Sequence, residues 1–114
     1  MIKVGITGQA GFVGRHLYNA LGLSPETYTR IAFKKEYFSV DSLIDAFVME
    51  CDIIVHLAGL NRHSEESAIY DTNVGLAVKL VDSFKRVAFV MLRPITKAPP
   101  VKRIFAKYCF TFKN

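Results

Sequence analysis

The chain has no tryptophan and two cysteines, Cys51 and Cys109. Two distant cysteines make neither a disulfide framework nor the ligand spacing of a metal site. No apolar run approaches the roughly 20 residues that a membrane span requires. The opening residues Met1-Ile2-Lys3-Val4-Gly5 do not follow the layout of a secretion signal. No internal repeat or low-complexity tract is present. These absences together suit the reducing cytoplasm, with no metal and no membrane among the partners.

Acidic residues are also missing from one end. Residues 87–114 carry six Lys/Arg and no Asp or Glu, whereas residues 1–86 carry nine Lys/Arg and all ten acids. The net charge of +5 therefore belongs to the tail. A basic tail can bind nucleic acid or anionic lipid. It is equally the mark of a segment foreign to the fold that precedes it, and nucleic acid is not the expected partner. The 114 residues, 51% of them hydrophobic, suffice for one globular domain with a moderate core.

What is present begins at once. The apolar run Ile2–Thr7 reads as a strand, and Thr7-Gly8-Gln9-Ala10-Gly11-Phe12-Val13-Gly14 follows it. Gly8 permits a tight turn, Gly11 permits close approach of backbone N–H groups to a pyrophosphate, and Gly14 permits close helix packing. The helix Phe12–Leu21, with Val13, Leu17, Ala20 and Leu21 on one face, would aim its N-terminal amides at the phosphates. An ordinary glycine-rich turn is the bland alternative; the strand before and the helix after raise the motif above it.

Further along, Gly22 and Ser24-Pro25 end the helix, and Tyr28–Phe33 reads as a second strand. Asp41 is placed to cap a helix with Leu43, Ile44, Phe47 and Val48 on one face. Asp52–Leu57 is a strand buried on both sides, and Ala58–Glu66 a polar loop. Ser67 to about Arg86 is a long helix with a stripe of Ile69, Val74, Ala77, Val78, Val81 and Phe84, and Val87–Leu92 is a fourth strand. The alternation predicts an α/β fold: a doubly wound parallel sheet in the order 2-1-3-4. Residues 1–92 form its cofactor-binding part and residues 93–114 an irregular basic tail. Pro94, Pro99 and Pro100 exclude a continuous helix or central strand near them.

The Gly-x-x-Gly-x-x-Gly spacing after Thr7 resembles the extended branch of the short-chain dehydrogenase/reductase superfamily, the NAD-dependent epimerases and dehydratases with a Rossmann-like fold. His56-Leu57-Ala58-Gly59-Leu60-Asn61-Arg62 is similar, more narrowly, to the NADPH-dependent 4-ketoreductases of capsular polysaccharide synthesis. That resemblance covers roughly residues 1–85. It implies a cofactor site built from Gly8, Gln9, Gly11, Phe12, Val13, Gly14, Leu57, Ala58, Gly59 and Asn73, and a UDP-sugar as substrate of a full-length parent. In the superfamily, the asparagine matching Asn73 supports a proton relay.

The tip of the second strand selects the cofactor, since a carboxylate there binds the ribose 2′-OH and a basic group binds a 2′-phosphate. Lys34 and Lys35 stand there, with Glu36 beside them. The lysines favour NADP(H) over NAD(H), the alternative being a solvated surface pair. His56 reads as a packed strand-end residue, and Arg62 as a phosphate contact or a solvated side chain.

The superfamily's hydride chemistry implies a tyrosine, a lysine four residues later and a Ser or Thr. No serine follows Ser83, Thr96 is a poor substitute, and Tyr108 and Lys113 are five apart, about 140° on a helix. No catalytic residue is therefore assigned. The expectation is a truncated N-terminal cofactor-binding portion, inactive alone. The alternatives are a fragment of an NAD-dependent epimerase or dehydratase and a non-enzymatic nucleotide-binding protein. Oligomeric state is not legible.

Overall fold

The computed structural model describes residues 1–60, 63–91 and 103–106. The elements run β1 (Ile2–Thr7), α1 (Phe12–Leu21), β2 (Tyr28–Ile31), a 3-10 helix (Lys35–Ser39), α2 (Asp41–Glu50), β3 (Ile53–His56), α3 (Glu66–Met91) and β4 (Arg103–Ala106). The strands form one sheet in the order β2-β1-β3-β4. Every pairing is parallel, with Val4 opposite Ile53, Thr7 opposite His56, and His56 opposite Ala106. The chain thus moves outward from β1 to β2 and then crosses back to β3. With right-handed crossovers, α1 covers one face of the sheet and α2 the other. The reversal beside β1 opens a crevice at the carboxyl ends of β1 and β3.

The predicted architecture and strand order are observed, but the fourth strand is not where the sequence put it. Val87–Met91 belongs to α3, and Arg103–Ala106 takes the fourth position. A short apolar run suits either a strand or a buried helix turn. Here Leu80, Ser83 and Val87 continue one helical face and are all buried. Leu92 lies outside the described residues.

The core lies between the sheet and the α2–α3 pair. Ile44, Phe47 and Val48 of α2 pack with Ile54, Leu80 and Val87. Leu43, expected on the same face of α2, is exposed. Asp41 does not cap α2; Val40 is the N-cap residue and no side chain caps the helix. Asp41 instead occupies the first turn, where its charge still favours the helix dipole. Asp45 bonds Ser83 and Arg86, whose guanidinium comes within 2.8 Å, and this pins α2 to α3.

Two helix faces differ from expectation. On α3, Ile69, Leu80, Ser83 and Val87 are buried while Tyr70, Val74, Val78 and Val81 stay exposed. The helix carries two apolar stripes, and periodicity cannot say which one the sheet takes. On α1, Gly14 is buried, Leu17 and Leu21 are half-buried, and Val13 and Ala20 are exposed. Among the described residues no helix is long and apolar enough to cross a membrane.

Candidate functional site

The site grows from the turn between β1 and α1. Gly8 has φ +79, a left-handed conformation that a side chain disfavours, and Gly11 N–H closes the turn on the Gly8 carbonyl at 3.1 Å. A Cβ on Gly14 would run into the Gly8 carbonyl, so the third glycine lets α1 pack against the turn itself. At Gly11 a Cβ would meet only the Gly8 oxygen, at 3.3 Å, so one side of the turn is open. The first intrahelical bond joins Arg15 N–H to the Gly11 carbonyl, and no side chain caps α1. The amides of Phe12, Val13 and Gly14 are therefore first-turn donors suited to an anion. The Phe12 side chain itself is 82% exposed.

The second wall is the turn after β3. Asn73 of α3 holds it from both sides of one residue. Its Oδ1 accepts from Leu60 N–H at 2.7 Å, and its Nδ2 donates to the Leu60 carbonyl at 3.0 Å. Below the turn, Thr7 Oγ1 accepts from the amides of Leu57 and Ala58 at 3.1 and 3.3 Å and meets His56 Nδ1 at 2.6 Å. Thr7 is fully buried and His56 nearly so, and burial pushes the His56 pKa below its ordinary value.

The third wall comes from the end of β2. Gln9 Nε2 donates to the Ile31 carbonyl at 2.9 Å and ties the glycine turn to that strand. Phe33 meets Phe47, Phe38 and Tyr37 edge-on, with ring centroids 5.0–5.5 Å apart. The 3-10 helix that follows was not foreseen. It turns Lys35 into the cleft and leaves Lys34, its N-cap residue, exposed outside the lining.

Together these walls enclose a cleft of about 790 Å³. Of the residues predicted for a site, Gly8, Gln9, Gly11, Lys35, Leu57, Ala58 and Gly59 line it. Phe12, Val13, Gly14, Lys34 and Asn73 do not, although Asn73 grips Leu60, which does. Arg15, Tyr18, Phe33, Phe38, Thr72 and Leu76 also line it, and the sequence reading missed them. Arg15 had one usable signal, its position one helical turn beyond Gly11. Arg15 and Lys35 are the charged groups of the lining, which holds no carboxylate among the described residues. Asn61, Arg62, Thr96, Tyr108 and Lys113 lie outside the described residues. Among the described residues, no cluster of three or more His, Cys, Asp or Glu could hold a metal ion.

Comparisons with known proteins agree with this fold. A UDP-N-acetylglucosamine 4-epimerase from Bacillus cereus is similar in structure, with a TM-score of 0.61 and 19% identity over 77% of this chain and 35% of its own. A uronate dehydrogenase variant from Agrobacterium tumefaciens, complexed with NAD, has a TM-score of 0.56 and 20% identity over 77% of this chain and 38% of its own. At such identities the likeness shows the fold. This chain spans little more than a third of the length of those proteins. No curated protein matches it. Residues 4–96 match the NAD dependent epimerase/dehydratase family, and the chain belongs to that family.

Proposed function

We propose that this chain is the N-terminal cofactor-binding portion of a nucleotide-sugar 4-ketoreductase, and that it binds NADP(H) in preference to NAD(H). The observation that carries this is the cleft at the carboxyl ends of β1 and β3, walled by glycine turns and carrying Arg15 and Lys35 without an opposing carboxylate. The residues fit a dinucleotide. Gly8 to Gly11 line the cleft where α1 begins and a pyrophosphate would lie, Leu57, Ala58 and Gly59 leave room for a nucleotide backbone, and Phe33 and Phe38 give a base an apolar wall. Lys35 and Arg15 supply the positive charge that a ribose 2′-phosphate requires. The bound nicotinamide would supply a hydride to the C4 carbonyl of the sugar.

This chain's own residues bind and orient. Asn73 fixes the turn after β3 through Leu60, and Gln9 fixes the glycine turn to β2. Hydride transfer to a ketone also needs a positioned acid for the alkoxide, and the sequence has no Tyr-x-x-x-Lys. Binding without turnover is the expected behaviour of these 114 residues. The cytoplasmic location and the UDP-sugar of a longer parent belong to the same proposal, while the sheet itself runs past residue 92, since Arg103–Ala106 pairs with β3.

A second reading, a portion of an NAD-dependent epimerase or dehydratase, is favoured by the family's NAD dependence and by the NAD complex of the uronate dehydrogenase variant. Calorimetry separates the two. Micromolar to millimolar binding of NADPH, tighter than NADH, supports the reductase reading. NADH binding as tightly as NADPH supports the second, and binding of neither removes both.

A further inference from the structure

Thr7 and His56 form a relay whose hydrogen positions can be counted. A threonine hydroxyl has one proton and two lone pairs. Two N–H donors point at the Thr7 hydroxyl oxygen, that of Ala58 and that of Leu57, which it shares with the Thr7 main-chain carbonyl at 3.1 Å. Its own proton is then left for His56 Nδ1, 2.6 Å away. A neutral imidazole carries one protonated and one bare nitrogen, so Nδ1 is bare and Nε2 carries the proton.

We propose that His56 is a positioning residue of the cleft: as the Nε2–H tautomer it accepts the Thr7 hydroxyl bond and so aims the Thr7 oxygen at the amides of Leu57 and Ala58. The relay joins the tips of β1 and β3, which are paired at Thr7 and His56. The Thr7 carbonyl also holds Leu57 N–H, whereas Ala58 N–H has Thr7 Oγ1 as its acceptor, so the wall hangs on that hydroxyl at Ala58. Protonating Nδ1 would set a third N–H against the same oxygen and orphan the hydroxyl proton. The turn would then lose an amide bond.

Beyond the relay, the surroundings oppose that protonation by burial. The 3-10 helix presents the Phe38 ring edge-on, centroids 6.3 Å apart, and β1 presents the uncharged Thr7. From α3, Lys79 donates to the Phe38 carbonyl at 3.1 Å, and from α2, Asp45 is engaged by Ser83 and Arg86. No carboxylate among the described residues offers the ring a charge partner, and burial is the cause of its lowered pKa.

That the held turn serves a nucleotide rests on the function proposed above; the relay itself does not. The test therefore starts without nucleotide. In the His16→Gln/His63→Gln variant of the full chain, His56 is the one remaining histidine. Its ring nitrogens, observed by ¹⁵N NMR near pH 7.5, should show a bare Nδ1 and a protonated Nε2. Hydrogen exchange of the Ala58 amide should quicken about tenfold in Thr7→Val and return in Thr7→Ser, the scale of one lost hydrogen bond. Acidification should perturb the Ala58 amide with the midpoint of the ring. A protonated Nδ1 overturns the proposal, as does an Ala58 amide that ignores the ring's titration, and both readouts survive if Thr7→Val fails to fold. A final arm adds 2′,5′-ADP. Affinity that falls with the ring's protonation supports the positioning role, and affinity flat across that midpoint overturns it. If 2′,5′-ADP does not bind at all, the cofactor reading fails and the positioning role falls with it, while the tautomer and amide results still decide the relay.

Discussion

Replacing Gly14 with alanine should destabilise the fold, whereas the same change at Gly75 should stabilise it. Both glycines lie inside helices, α1 and α3. In each case alanine gains about 1 kcal/mol of helix propensity over glycine. At Gly75 a Cβ would meet nothing within 4 Å, so the full gain of about 0.5–1 kcal/mol should appear. At Gly14 a Cβ would strike the Gly8 carbonyl and lie 3.1 Å from Gln9 Cα. Both obstacles are backbone of a turn that Gly11 and Gln9 already tie down, so neither swings aside as a flexible side chain would. Overpacking of this kind costs about 1–3 kcal/mol or more and outweighs the propensity gain in all but the mildest case. Urea denaturation at pH 7 measures both changes. Gly14→Ala should lower the midpoint, loosen the β1–α1 turn and weaken nucleotide binding, while Gly75→Ala should raise the midpoint and leave binding alone. A Gly14→Ala protein as stable as wild type would refute the packing argument.

Lys35→Ala should weaken 2′,5′-ADP binding about tenfold to a hundredfold, the scale of a charge-assisted bond, while Lys34→Ala changes it little; calorimetry showing equal losses would place the phosphate elsewhere. Asn73→Ala removes both bonds to Leu60 and should cost about 1–3 kcal/mol, read by urea denaturation, with faster hydrogen exchange at Leu60. The Arg86 guanidinium beside Asp45 holds its carboxyl below the ordinary carboxylate range. A depressed carboxylate stabilises the fold above its unfolded pKa of about 3.9 and loses that contribution as pH falls through its folded pKa. Asp45→Asn should therefore be less stable than wild type at pH 7, and the gap should close under acid titration of the unfolding midpoint.

The features legible in the sequence are those whose requirements are local. A left-handed Gly8 and a close-packed Gly14 are demanded within eight residues of one another, so the β1–turn–α1 unit and its anion-facing amides could be read directly. Parallel strands separated by helices dictated the sheet order. What escaped was set by rotation and partner choice. Val87–Met91 is apolar enough for a strand, and only the burial of Leu80, Ser83 and Val87 on one face shows that the helix continues. Arg103–Ala106 is four residues in a basic stretch, too short for any pattern to separate from its surroundings. Lys34 and Lys35 were indistinguishable until the 3-10 turn sent one of them into the cleft and the other outward. Arg15 sits among polar helix positions, and only its place one turn beyond Gly11 points to the cleft that it lines.

The cleft between the glycine turn and the turn after β3 is the proposed seat of a dinucleotide. Titrating NADP⁺ into ¹⁵N-labelled chain tests it most directly. Saturable shifts should concentrate at the amides of Gly8, Gly11, Phe12, Val13 and Ala58, and Gly11→Val should abolish them. Shifts confined to other surfaces, or none at millimolar NADP⁺ in a folded chain, would contradict it.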